Sequence, residues 1–155
     1  MLQKRASLVI LYMRILIQYI ERQKGLRLWR VFYWFLKVIL GIGFIGSGLR
    51  KMPSVKFTAL PIDNPVGLFF EGMYATGFYW NFIGYYQIVV GILLMTTWFQ
   101  KLTPILLFPV SINIFLVSLS LQMRGTPIIT ACMLLGNLFL LAWHLKTYLP
   151  ILNRK

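Results

Sequence analysis

Asp63 and Glu71 are two of only three carboxylates in 155 residues, and they stand eight positions apart in the one long connection between apolar runs. Paired carboxylates do acid/base work only when both reach one reacting bond. Here Pro65 falls between them, and Asp63-Asn64-Pro65 is a helix-start signal, with side-chain oxygens to cap orphan amides and proline near the first helical position. The pair therefore reads as a helix cap and a charge partner for Arg50, Lys51 or Lys56. Cys132 is the single cysteine and His144 the single histidine. One chain can thus build no disulfide, no Cys-x-x-Cys couple, no thiolate metal cluster and no bis-histidine haem site. No nucleophile stands beside a base at helical spacing, so the chain reads as non-catalytic on its own, with no metal site and no cofactor of its own.

What remains is hydrogen bonding inside apolar sequence. Gln87, Asn113, Asn137 and His144 are the candidate ligand contacts, because a quinone needs a flat apolar slot and one or two donors rather than covalent ligands. The plainer role for such residues is bonding across helices, at about 0.6–2 kcal/mol each. The connection itself supplies candidates for partner binding or charge pairing: Arg50, Lys51, Asp63, Phe69, Phe70 and Glu71.

The elements that must position these residues cross a membrane. Hydrophobic residues make up 59% of the chain against 12% charged. Four runs, 29–49, 79–98, 103–121 and 127–143, have the length that spans roughly 30 Å of hydrocarbon at about 1.5 Å per residue. The expected fold is all-α, an integral membrane four-helix bundle with an N-terminal interfacial amphipathic helix and a short outer-loop helix. Residues 1–25 form the amphipathic segment, 26–146 the membrane domain with its outer loop at 50–78, and 147–155 a basic tail. In the first segment Arg14, Gln18 and Glu21 share a helical face, and no small-x-small cleavage site follows the apolar part, which favours an uncleaved start over a signal peptide. Val66, Leu68, Phe69, Phe70 and Met73 make 65–75 too apolar for a soluble loop and too short to span.

Within the spans, Gly41, Gly43, Gly46 and Gly48 thin the first helix for close packing. Lys37 requires snorkelling to the surface or a polar partner, with snorkelling the preferred outcome. Pro109 should kink the third span and free a carbonyl.

The net charge of +13 resides in tails and connections, which suits an anionic membrane surface and excludes nucleic acid as partner. Eleven Lys and Arg fall on the side of the termini and four (Arg50, Lys51, Lys56, Arg124) on the other. By the positive-inside rule both termini are cytoplasmic and the outer loop faces out.

Three stretches resemble the DoxX-like family of small four-helix bacterial membrane proteins: Gly46 to Met52 (GSGLRKM), Gly84-x-x-Gln87-x-x-x-Gly91, and FTALPIDNPVGLFFEGMYATGFYW with NIFLVSLSL and RGTPIIT, which look like a Bacteroidetes-type branch. The resemblance covers roughly Trp29 to Lys146. It implies the bacterial inner membrane and association with oxidoreductases, since members resemble the small subunit of a thiosulfate:quinone oxidoreductase. Many relatives carry Glu where Gln87 stands, and the neutral amide weakens a proton-relay role. The expected function is a non-catalytic subunit or scaffold of a membrane complex, with a protein partner or a homo-oligomer. The alternative is a quinone- or lipid-binding subunit of an oxidoreductase, and a small-solute transporter ranks third, because Lys37 is the sole ionisable group within a span.

Overall fold

The computed structural model describes residues 15–53 and 55–152, with the side chains of 149–152 excepted. These residues form helices and connections without a strand. Helix α1 covers residues 15–24, followed by α2 (Arg27–Leu49), α3 (Pro65–Ala75), α4 (Phe78–Met95), α5 (Thr103–Ser120), α6 (Thr126–Trp143) and α7 (Leu145–Leu152). Four of them, α2, α4, α5 and α6, are long and apolar enough to cross a membrane, so the protein is a multi-pass helical membrane bundle. The first half of the expected amphipathic helix, with Lys4, Arg5 and Arg14, lies outside the described residues.

The four spans alternate in direction, and each touches two neighbours in the cyclic order α2, α4, α5, α6. Contacts are dense in the α2–α4 and α5–α6 pairs and sparse across the α4–α5 and α2–α6 seams. Glycine explains the first pair. A Cβ on Gly48 would lie 2.6 Å from the Gly84 carbonyl oxygen, and one on Gly91 would lie 3.0 Å from that of Gly41. The two contacts sit seven residues apart on both helices, so α2 and α4 touch backbone to backbone over two turns. Gly43 and Gly46 take no part: the former meets only a methionine methyl at ordinary distance and the latter faces open space. Of the four glycines expected to thin this helix, two do so.

Asn137 accounts for much of the second pair. With its amide turned to suit its neighbours, the nitrogen donates to the Pro104 carbonyl at 3.1 Å and the oxygen accepts from the Phe108 amide at 3.0 Å. A fully buried side chain from α6 thereby engages the first turns of α5, just before Pro109 removes a donor from that helix. Ser118 and Thr130 add a buried hydroxyl pair at 2.7 Å.

Several boundaries differ from the sequence expectation. Span two stops at Met95, because Thr96 leaves the helix with extended backbone and its hydroxyl returns to the Leu93 carbonyl. Trp98 and Phe99 therefore lie in the connection. Asn64, not Asp63, caps α3: proline at the first helical position places Asn64 at the N-cap, where its side-chain oxygen accepts from the Val66 amide at 2.9 Å. The basic tail continues as α7, held to the α4–α5 connection by the Tyr148 hydroxyl donating to the Lys101 carbonyl at 2.5 Å.

Candidate functional site

Two polar clusters occupy opposite ends of the bundle. At the end carrying the termini, the Tyr33 hydroxyl lies 2.9 Å from His144 Nε2 and its ring stacks on Trp143 at 5.1 Å. Lys37 is buried beside them instead of snorkelling: it is 1% exposed, donates to the Thr96 carbonyl at 2.8 Å and sits 4.2 Å over the Trp34 ring. The carbonyls at the C-terminal end of α4 lack helical partners and carry partial negative charge, which suits the ammonium. Burial first, then the charges of Lys24, Lys101 and Lys37, push the His144 imidazole down to about 4, so it is neutral at ordinary pH. Each group here has its partner.

The loop end differs. Helix α3 folds back over the bundle and, with the preceding segment, turns Phe57, Phe70 and Trp80 together; Phe57 and Phe70 meet at 4.2 Å and each lies 5.7 Å from Trp80. Beneath this aromatic roof is a cavity of about 110 Å³ to which all four spans contribute. Lys51, Trp80, Gln87 and Asn113 bring polar groups to it. Gln87 is fully buried, and neither its nitrogen nor its oxygen finds a partner among the described residues. The indole N–H of Trp80, a residue 3% exposed, also finds none among them. Each such buried polar group left unpaired costs about 1–3 kcal/mol.

Lys51 enters the cavity because Gly84 leaves room for its stem; a Cβ on Gly84 would lie 2.8 Å from that of Lys51. Its ammonium donates to the Ser47 carbonyl and hydroxyl at 3.0 and 2.9 Å and lies about 5 Å from the Phe57 and Trp80 rings. Burial lowers its pKa to about 8. Glu71 pairs instead with Lys56 at 3.6 Å on the exposed surface, and Arg50 and Asp63 are exposed. Thus neither Arg50 nor Lys51 neutralises Glu71.

A second hollow of about 310 Å³ runs along the sparse α4–α5 seam, walled by Tyr79, Phe82, Tyr86, Pro109 and Val110. Asn113, Ile83, Ile114 and Met73 line both spaces, so the cavity and the groove adjoin there. The Tyr86 hydroxyl donates to the Leu106 carbonyl at 2.8 Å and ties the two helices below the groove.

No family model, curated protein or solved structure matches the chain.

Of the four candidate contacts, then, Gln87 and Asn113 share one cavity, Asn137 is bonded into the α5–α6 contact, and His144 lies at the opposite end with Tyr33. Phe69 and Phe70 turn toward the same cavity rather than outward. Sequence reasoning misses Lys51 and Trp80 as cavity residues. The signal for Trp80 is present: Trp80, Gly84, Gln87 and Gly91 recur at helical spacing and fall on one buried face of α4.

Proposed function

We propose that this protein is a non-catalytic, membrane-embedded binding subunit that holds an amphiphile, its polar head in the loop-end cavity and its chain in the α4–α5 groove. One observation carries the proposal: Gln87, fully buried with donor and acceptor both unpartnered among the described residues, lines a cavity adjoining a groove on a loosely packed seam. A ligand oxygen accepts from the Gln87 and Trp80 N–H donors, a ligand hydroxyl or a water carried in with it donates to Gln87 Oε1, and the aromatic and aliphatic walls suit a chain. A quinone and a lipid both meet that description. The motifs resembling the DoxX-like family are consistent with this reading, and with it go the bacterial inner membrane, cytoplasmic termini and a place in a larger oxidoreductase-associated complex.

Native mass spectrometry of the protein taken from its own membranes in mild detergent tests it. The expected spectrum shows a stoichiometric amphiphile on the wild type that is lost from Gln87→Leu, with thermal unfolding as the folding control. Equal retention by both proteins refutes the proposal.

The scaffold reading keeps a separate support. Leu60, Ile62 and Leu68 are 48%, 66% and 61% exposed at the loop end, and they, rather than Phe69 and Phe70, offer an apolar face to a protein partner. Replacing all three with serine is expected to release any loop-docked subunit from the purified complex; a complex of unchanged composition rules this docking face out.

A further inference from the structure

The polar groups of the loop-end cavity are unequal in kind. Trp80 Nε1 can only donate, Lys51 Nζ can only donate, and no carboxylate lines the space. Lys51 is the sole titratable group in the lining and is 5% exposed. Two of its three N–H bonds go to Ser47, and among the described residues no acceptor takes the third. Among the described residues the ion pairs are Lys24–Glu21 and Lys56–Glu71, and neither enters the cavity. A buried cation without a counter-charge favours an anion with acceptor oxygens, held by charge-assisted hydrogen bonds.

Resting on the binding reading above, we infer that the head group recognised in this cavity is anionic, a carboxylate or phosphate seated between Lys51, the Trp80 indole N–H and the Gln87 amide. The cavity is compact, which suits a small oxyanion better than a bulky neutral ring. The anion could arrive on a lipid chain through the α4–α5 groove or as a free ion from the loop side, and the chemistry at Lys51 is the same for both.

Delipidated full-length protein in nanodiscs, titrated with lysophosphatidate, palmitate and a monoacylglycerol of matched chain, tests the inference by native mass spectrometry. Wild type is expected to bind the two anions about tenfold or more tighter than the neutral probe. Lys51→Met is expected to lose that preference, its affinity for the two anions falling about tenfold or more, with an unchanged melting temperature showing that it folds. Competition by inorganic phosphate assigns the site to a free anion, and its failure assigns it to a lipid head; both outcomes support an anionic ligand. Equal, Gln87-dependent affinity for charged and neutral probes overturns the anionic inference and leaves the binding function standing. Gln87-independent binding of all three overturns both.

Discussion

Replacing Gly48 with alanine tests the glycine contact that holds α2 on α4. The added methyl would stand 2.6 Å from the Gly84 carbonyl oxygen, so the helices must part by about 0.8 Å to regain ordinary contact at 3.4 Å. Overpacking of this kind costs about 1–3 kcal/mol. Alanine also returns about 0.5–1 kcal/mol of helix propensity. Gly46→Ala isolates that second effect, because its methyl meets open space on the same helix. Propensity is common to the two variants, and their difference reads the steric clash. Unfolding in mixed micelles, followed by tryptophan fluorescence, is expected to place Gly48→Ala about 1–3 kcal/mol below Gly46→Ala. The shift should also disturb the cavity, since the same approach of helices lets Lys51 pass Gly84. Equal stability of the two variants refutes the contact.

Other outcomes follow from the partners described. Asn137→Leu removes the interhelical bonds to the Pro104 carbonyl and the Phe108 amide and is expected to cost about 1–2 kcal/mol by the same unfolding measurement. Glu71→Gln, by contrast, breaks an exposed pair and should change stability by less than about 1 kcal/mol. The folded-state pKa of His144 lies near 4, below its unfolded value, so the unfolded chain takes up the proton first on acidification. Stability is therefore expected to be full above about pH 6.5 and to fall toward pH 4, while His144→Gln flattens that slope in a pH series of melting temperatures. A slope unchanged in the variant removes His144 as its source.

Periodicity and hydropathy make the spans legible because a bilayer imposes length and apolar composition on any helix crossing it. The outer helix is legible for a local reason: Asn64-Pro65 fixes its start, and Gly77, at φ 69, reverses the chain after it. What the sequence leaves open is side-chain direction at the membrane edge. Lys51 and Arg50 are neighbours of like charge, yet one is buried and the other exposed. That choice depends on Gly84, 33 positions further along and unrelated to Lys51 by any local rule. The same holds for the polar residues within spans. Asn137 finds backbone partners on α5 and Gln87 finds none among the described residues, although both look alike as single amides in apolar runs.

The paired glycines also govern how the bundle can move. Because the Gly41–Gly91 and Gly48–Gly84 contacts share one seven-residue interval, sliding α2 along α4 would drive isoleucine side chains, Ile45 or Ile88, into backbone. The two helices thus form a single stiff plate that resists pistoning, and the bonded α5–α6 pair forms a second. Any movement between the two pairs is therefore expected at the sparse α4–α5 and α2–α6 seams, with the Tyr86–Leu106 bond limiting how far the former can open.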